Sequence, residues 1–232
     1  MFSESVIIAL EGLKANKLRA MLTMLGIIIG VGAVIAMVSI GLGVRDKVES
    51  SIAGLGSNLL IVHPGAASAG GSRQAAGSGI TLNEKDAVAI KEVSGVNLVA
   101  PGVDRSYQIV FGNQNWTTTI LGTTPDIMGV RNYNLAEGEF FTNQDNETRA
   151  RVAVLGKTAA DNLFNSVNPV GQTIRINKAP FRVVGVLEAK GESSGGDQDD
   201  TIIIPLTTAQ ERVMGITYVQ DIYVQATGTD VI

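Results

Sequence analysis

The sequence predicts an α+β fold in which one N-terminal transmembrane helix precedes a two-lobed mixed α+β domain. Residues 20–44, between Arg19 and Arg45, contain no charged residue. As a helix they would be roughly 37 Å long, which is enough to cross a hydrocarbon core of about 30 Å. The rest of the chain alternates short β-rich runs with capped helical segments and hairpin signals, a pattern typical of an α+β domain.

Two other interpretations of residues 20–44 are less favoured. A cleaved signal peptide has an apolar core of roughly 7–15 residues and a small-residue cleavage site, whereas this run is longer and is followed by IGLGVRDK. A buried core helix would need apolar partners long enough to surround it, and the sequence has no second run of comparable length. A membrane span is therefore the preferred interpretation.

Basic residues on the two sides of the span predict its orientation. Lys14, Lys17 and Arg19 precede it and are expected at the membrane interface, whereas Arg45 and Lys47 follow it. The positive-inside rule favours a cytoplasmic N-terminus on this modest excess. We therefore expect a single span in the plasma (inner) membrane, with the residues after about 45 outside the cytoplasm.

Small residues within the span predict a helix-packing face. Gly26 and Gly30 form a GxxxG motif, and Gly32 and Ala36 are expected to extend the same face. Such a face lets a second membrane helix approach closely. The alternative is that these glycines only reflect the frequency of glycine in membrane helices.

Residues 1–19 predict an amphipathic cytoplasmic helix. Val6, Leu10 and Leu13 recur at spacings of three and four residues, with charged side chains between them. Such a helix would rest in the headgroup region with its apolar face in lipid. The alternative is one continuous helix that simply lengthens the span.

The N-terminal segment and several later stretches resemble a known family. The run ALEGLKANKLRAMLTMLGIIIGVGAVIAMVSIGLG is similar to the N-terminal segment of MacB-type ABC transporter permeases. Later stretches resemble the extracytoplasmic region of the same family: ILGTTPDIMGVRNYNLAEGEFF, RVAVLGKTAADNLF, NPVGQTIRIN, and the loop ending in DQDD before TIIIPLTTAQERV. Together these stretches cover nearly all of the chain.

The resemblance implies a non-catalytic permease component whose partners are a cytoplasmic ABC ATPase, a second permease subunit in a homo- or heterodimer, a periplasmic adaptor protein and the lipid bilayer. Family permeases carry three further membrane helices after the extracytoplasmic domain, so the chain is expected to be a piece of a permease. ATP hydrolysis by the partner would move the extracytoplasmic domains and export a substrate. The resemblance also implies that residues 58–232 form a core domain with an inserted lobe at about 113–200.

Composition excludes several other chemistries. The chain has no cysteine, which removes thiolate catalysis and cysteine-based metal sites. Its one histidine, His63, is expected to be a surface residue at a strand end, and one histidine cannot supply a histidine-based metal site. Residues after Lys47 include 13 basic and 19 acidic residues, a balance of −6 that argues against nucleic acid as a partner. We therefore expect no catalytic, cofactor-binding or metal-binding residue.

The segment after the span predicts a stalk and a first strand. Residues 45–57 let the membrane helix continue outward for a few turns until glycine ends it. Residues 58–62 are β-rich and are ended by His63-Pro64, because proline cannot donate to a strand ladder. Residues 65–79 have the composition of a flexible linker, so they predict a mobile loop.

The next segment predicts a capped helix and a hairpin. Thr81 and Glu84 fit a capping box for a helix that runs to about Val93. The sequence GNQN separates two β-rich runs and is a hairpin signal. The predicted strands here are residues 96–99, 106–111 and 116–121.

The remaining residues predict further α/β pairs. They comprise a strand at 151–155, a helix at 157–164, a hairpin turning near Asn177 and Lys178, a strand at 201–205, a helix from about Thr208 and a strand at 218–226.

The sequence Gly156-Lys157-Thr158 after a strand has the look of a phosphate-binding loop. That motif needs a glycine five residues before Gly156, and Arg151 occupies the position. Lys157 and Thr158 are therefore expected to open an ordinary helix.

Two further features allow two interpretations each. An acidic cluster in the loop before residue 201 could bind a divalent cation, but it lacks calcium-loop spacing and is expected to be a solvated loop. Trp116 on the predicted hairpin is expected in the core, with an exposed contact as the alternative. The acidic cluster comprises Glu192, Asp197, Asp199 and Asp200.

Two alternative functions use the same architecture. An FtsX-like permease would activate a cell-wall hydrolase and move no substrate. A stand-alone signal-anchored domain would use the span as a tether and its sheet surface to bind a ligand; the Gly26 and Gly30 face argues mildly against it.

Overall fold

The computed structural model describes residues 15–55, 58–65, 68–69, 72–73, 81–165, 167–193 and 196–228. The chain divides into two compact units, of which the second begins at Ser51. The predicted amphipathic helix of residues 1–19 falls mostly on residues 1–14, which lie outside the described residues.

A single long helix, α1, covers Lys17–Leu55. Its sequence contains no proline, so every residue keeps the N–H group that the backbone hydrogen bonds of a helix need. Its 39 residues correspond to about 58 Å of helix. The predicted apolar helix is confirmed, and the backbone stays helical through the first eleven residues of the predicted stalk.

The second unit is built on a mixed nine-stranded sheet. The strand order is β1-β13-β4-β5-β12-β7-β9-β6, and β8 pairs with both β4 and β9. The pairs β5/β12 and β7/β9 are parallel, and the other pairs are antiparallel. The strands are β1 Leu59–Val62, β4 Val96–Phe111, β5 Gln114–Thr123, β6 Leu135–Gly138, β7 Val152–Leu155, β8 Thr173–Ile176, β9 Ala179–Leu187, β12 Thr201–Pro205 and β13 Asp221–Ala226.

Two short hairpins lie off this sheet. β2 Ser68–Ala69 pairs with β3 Ser72–Arg73, and β10 Glu192–Ser193 pairs with β11 Gly196–Asp197. The first hairpin falls within residues 65–79, where the sequence predicts only a mobile loop. The other residues of that loop, apart from Gly65, lie outside the described residues.

The long strand β4 corrects the prediction of two separate strands at 96–99 and 106–111. Its first part pairs with β13 and its remainder with β5, and the change of partner occurs at Gly102. Pro101 lies just beyond the last residue that pairs with β5, so its missing N–H costs no bond to that strand.

Short helices cover the sheet. The first helix of the second unit, α2, begins after Asn83, whose side chain accepts hydrogen bonds from the backbone N–H groups of Lys85 and Asp86. The capping box therefore joins Asn83 and Asp86, and the predicted pair Thr81 and Glu84 is wrong. The helices are α2 Glu84–Lys91, α3 Ile127–Val130, α4 Asn143–Glu147, α5 Lys157–Phe164 and α6 Leu206–Thr208, which continues as a π-helical segment over Ala209–Met214.

The turn between β8 and β9 lies where the sequence predicts it. Asn177 and Lys178 have φ values of 46° and 69°. Positive φ at both central residues is the geometry of a two-residue hairpin turn that matches the twist of the strands.

Each face of the sheet carries a hydrophobic core. One cluster includes Phe181, Ile202 and Leu163, and the other includes Ile203 and Leu187. Consecutive residues of β12 alternate between the two clusters, as expected for a strand that is covered on both faces. Apart from the β10/β11 hairpin, the strands within the predicted lobe of residues 113–200 belong to the same sheet as the others, and the boundaries of that lobe stay a prediction.

Candidate functional site: the apolar helix and the edge of the sheet

The apolar part of α1 is Lys17–Arg45. Its most apolar 18 residues have a mean hydropathy of 2.6, and none of them is buried. Among the described residues it is the one helix with the length and composition to cross a membrane. Large apolar side chains such as Ile28, Val34 and Met37 are more than 60% exposed in the single chain. A helix that is apolar on all sides is stable only in lipid or against other helices.

The glycines of α1 lie on two faces. Gly26 and Gly30 are one turn apart and share a face, but Gly32 lies about 160° around the helix from Gly30. The expectation that all three line one face is corrected by the period of the helix. Gly41, which is not among the predicted packing residues, lies within about 20° of Gly30.

These glycine positions are open in the single chain. A Cβ atom added to Gly26, Gly30 or Gly32 would meet no heavy atom within 4 Å. A second helix could therefore contact either face at short distance. Their role in helix packing stays a prediction.

The N-terminal end of α1 carries the predicted interface cations. Lys17 and Arg19 are exposed, and Lys14 lies outside the described residues. One turn further along, the hydroxyl of Thr23 donates to the carbonyl oxygens of Arg19 and Ala20 at 3.0 and 2.9 Å. The polar group of Thr23 is therefore satisfied inside the helix, as an apolar surrounding requires.

The first and last described strands of the sheet are neighbours at one edge. β1, the first strand, pairs antiparallel with β13, and Ala226 N donates to Asn58 O at 3.0 Å. At the other end of the pair, His63 Nδ1 lies 2.6 Å from Asp221 Oδ1. His63 is exposed, as predicted for a strand-end residue.

The Gly156-Lys157-Thr158 segment opens α5. Gly156 N donates to Thr201 O at 2.8 Å, so this amide is bonded to the neighbouring strand β12. Lys157 Nζ lies 2.5 Å from Asp161 Oδ1, one turn along the helix. Both side chains line a shallow cleft of about 410 Å³ together with Glu137 and Asn168.

The acidic loop was expected to be solvated, but one of its carboxylates is buried. Asp199 is 6% exposed, and its carboxylate accepts hydrogen bonds from the N–H groups of Lys190 and Gly191 at 2.8 Å each. This carboxylate organises the turn before the β10/β11 hairpin. Among the described residues, no group of three acidic, histidine or cysteine side chains is arranged to hold a metal ion.

Trp116, for which the sequence allowed either a core position or an exposed contact, is partly buried. Its ring is partly buried against the first core cluster, and its Nε1 donates to Asp200 Oδ1 at 2.8 Å. The hydrogen bond joins β5 to the end of the acidic loop.

The sequence model of the MacB-like periplasmic core domain matches residues 20–232 of this chain. The chain belongs to the MacB-like periplasmic core domain family. The resemblance and the α+β class predicted from sequence are thereby confirmed, and the chain has the periplasmic domain of a MacB-like permease.

Curated relatives carry the name macrolide export ATP-binding/permease protein MacB. The protein from Bdellovibrio bacteriovorus is 41% identical over 216 residues, which are 93% of this chain and 33% of the relative. The protein from Syntrophobacter fumaroxidans is 43% identical over 217 residues, which are 92% of this chain and 30% of the relative. The chain thus spans about a third of the length of the curated relatives it matches.

Solved structures show the same architecture. The periplasmic region of MacB from Actinobacillus actinomycetemcomitans is 27% identical with a TM-score of 0.64, covering 80% of this chain and 82% of that one. The extracellular domain of the transporter YknZ from Gram-positive bacteria has a TM-score of 0.57 at 22% identity, covering 65% and 76%, and shows the shared fold. An apolar helix and a MacB-like domain fit a membrane protein with an extracytoplasmic domain.

Proposed function

We propose that this chain forms the first membrane helix and the extracytoplasmic domain of a MacB-type permease subunit, which transmits motion from a cytoplasmic ATPase and exports a substrate. The observation that carries the proposal is the continuity of α1, which is helical from Lys17 to Leu55. Only two residues separate Leu55 from Asn58, the residue that precedes β1. A displacement of the helix therefore acts on the first strand of the sheet through a very short connection.

The pairing of the first and last described strands of the sheet supports the same function. Asn58 and Ala226 are hydrogen bonded to each other, so the chain before the sheet and the chain after it act on one edge. Membrane segments attached at both ends would move this edge as a unit. A domain that only tethered a ligand site would not require adjacent ends.

The proposed partners follow from the family. They are a cytoplasmic ABC ATPase, a second permease subunit that packs through the Gly26/Gly30 face of α1, a periplasmic adaptor protein and the lipid bilayer. The relatives' name joins ATP binding and permease in one protein. In this proposal the described chain is non-catalytic, and a nucleic acid is not among its partners.

The orientation is part of the proposal. Lys17 and Arg19 are placed on the cytoplasmic side, and the sheet is placed outside the cytoplasm. A reporter enzyme that is active only outside the cytoplasm, fused after Ile232, should be active. An inactive reporter in a stably inserted fusion would reverse the orientation.

The coupling can be tested in a chimaera. Residues 1–232 would replace the matching segment of the Bdellovibrio bacteriovorus relative, with a spin label on exposed Lys178 of each subunit, in lipid nanodiscs. We expect the distance between the two labels to change when ATP is added. Three glycines inserted after Val48 should abolish the change without abolishing ATP hydrolysis, because they break α1.

The control chimaera carries the three glycines in the β4–β5 turn after Gly112, which leaves α1 intact. It should keep the distance change. A chimaera that hydrolyses ATP while its label distance stays constant would overturn the proposed coupling.

A further inference from the structure

Two cationic side chains, those of Arg131 and Lys190, lie close to two buried tyrosines on one face of the sheet. The guanidinium carbon of Arg131 lies 5.9 Å from the ring centre of Tyr133 and 5.7 Å from that of Tyr223. Lys190 Nζ lies 4.6 Å from the ring centre of Tyr133 and donates to the carbonyl oxygen of Arg131. Residues far apart in sequence thus form one cluster at β13, the loop after β9 and the loop after α3.

The guanidinium of Arg131 lacks a hydrogen-bond partner within the described part of the chain. Its Nε is buried without a partner, and its two terminal nitrogens reach solvent. No carboxylate of the described residues lies within 4.0 Å of it. Buried charged donors are normally paired, so this group has unused capacity for an acceptor.

The two tyrosine hydroxyls are in the same situation. Tyr133 is 7% exposed and Tyr223 is 8% exposed, yet neither hydroxyl has a hydrogen-bond partner among the described residues. Both hydroxyls therefore reach solvent at the edge of otherwise buried rings. Burial raises the pKa of both tyrosines, so the hydroxyls remain protonated and can donate.

The nearby carboxylates are engaged elsewhere. Asp199 accepts from the backbone N–H groups of Lys190 and Gly191, and Asp221 lies 2.6 Å from the ring of His63. The pKa of Asp104, which also faces Tyr223, is raised first by burial and then by Asp221. None of these groups serves as counter-ion to Arg131.

We propose that Arg131 and the hydroxyls of Tyr133 and Tyr223 bind one oxyanion group, a phosphate or a carboxylate, of a small solute. The planar guanidinium matches both groups through paired hydrogen bonds. Tyr133 and Tyr223 are only 7% and 8% exposed, which suits a single small group. Burial and then the repulsion from Arg131 lower the pKa of Lys190, and the anion would offset that repulsion.

The test uses the full chain in uncharged detergent micelles at pH 7. Sodium phosphate is titrated in one arm and sodium acetate in the other, with sodium chloride at equal ionic strength as the control for screening. We expect a saturable rise in Tm of about 3–6 °C at ten times the Kd in at least one arm. The nuclear magnetic resonance signal of Arg131 Nε–H, identified by its absence in Arg131→Lys, should shift over the same concentration range.

Matched variants distinguish the site from general salt effects. Arg131→Gln should remove the rise in Tm, whereas Arg149→Gln, whose guanidinium already pairs with Glu211 at 2.6 Å, should keep it. Tyr223→Phe retains the ring and should weaken binding about tenfold, equal to 1.4 kcal/mol. A rise in Tm with both phosphate and acetate shows that the site accepts either oxyanion. A rise with only one of them shows that the site selects that anion.

Two results would overturn the proposal. The first is an equal rise in Tm in the wild type and Arg131→Gln. The second is an Arg131 signal that stays unchanged up to 100 mM of both anions, and this measurement decides the matter even when Arg131→Gln fails to fold.

Discussion

Replacing Asp199 with asparagine should destabilise the second unit more than a conservative change usually does. The carboxylate is 6% exposed and accepts from Lys190 N at 2.8 and 3.1 Å and from Gly191 N at 2.8 Å. An asparagine offers one oxygen and one NH₂ group in the same place. One of the two backbone N–H groups would therefore face another donor.

The magnitude follows from these contacts. A hydrogen bond to a charged group contributes about 1.5–3 kcal/mol, and a buried N–H left without an acceptor costs about 1–3 kcal/mol. The two terms overlap, so we expect Asp199→Asn to lower the free energy of unfolding by about 2–4 kcal/mol. For a unit of this size the loss corresponds to a decrease in Tm of about 4–16 °C.

Trp116 provides the assay. It is the single tryptophan of the chain, and it donates to Asp200, the residue next to Asp199. Its fluorescence should follow thermal unfolding of the full chain in detergent and report the loss of the loop. The pKa of Lys190 should also fall below about 8 in the variant, because Asp199 raises it.

Asp161→Asn is the matched control. Asp161 pairs with Lys157 on an exposed helix surface, where an ion pair contributes about 0–1 kcal/mol. A decrease in Tm for Asp199→Asn no larger than for Asp161→Asn would refute the assignment of Asp199 as the organiser of this turn.

Three other changes have definite outcomes. Gly156→Ala places a Cβ 2.3 Å from the backbone oxygen of Asp199 and should cost about 1–3 kcal/mol of stability, read as a shift in the denaturation midpoint. Burial and Arg131 lower the pKa of Lys190 from 10.5 to about 8, so between pH 8 and pH 10.5 the unfolded chain binds more protons than the folded chain. The stability of the wild type relative to Lys190→Met should therefore increase from pH 7 to pH 10. A stability difference between the two proteins that stays constant over this pH range would contradict the prediction. Gly30→Ile should weaken helix association in a membrane two-hybrid assay, whereas Gly32→Ile on the opposite side should not, and equal effects would remove the Gly26/Gly30 face as the contact.

Local signals allowed much of the fold to be predicted. The positive φ values at Asn177 and Lys178 belong to a turn that the two flanking β-rich runs already indicated. The cap of α2 was placed wrongly because two overlapping boxes, Thr81 with Glu84 and Asn83 with Asp86, both have the required spacing. A tertiary contact decides between them, since Val219 N donates to Leu82 O at 3.1 Å and holds Leu82 outside the helix.

The cluster around Arg131 could not be predicted from the sequence. Arg131, Lys190 and Tyr223 lie on separate elements, and their proximity depends on which strands are neighbours in the sheet. Strand order is set by long-range pairing that no local pattern contains. The same limit explains why the single strand β4 was predicted as two strands. Pro101 interrupts β4 only if it faces a partner that needs its N–H, and that depends on where the strand changes partner.

The position of Tyr223 connects the proposed anion site to the edge formed by the first and last described strands of the sheet. Tyr223 pairs with Ile61 of β1, while Ala226 of the same strand is bonded to Asn58. A displacement of β1 and β13 would therefore move one wall of the anion site relative to Arg131, which follows α3. If the anion binds less tightly when the edge is displaced, thermodynamic linkage requires that a bound anion make the displacement less favourable. The equilibrium constant of the displacement decreases by the same factor as the affinity for the anion. Label distances measured with and without phosphate in the ATP-driven chimaera would show this, and an identical ATP response in both conditions would separate the anion site from the moving edge.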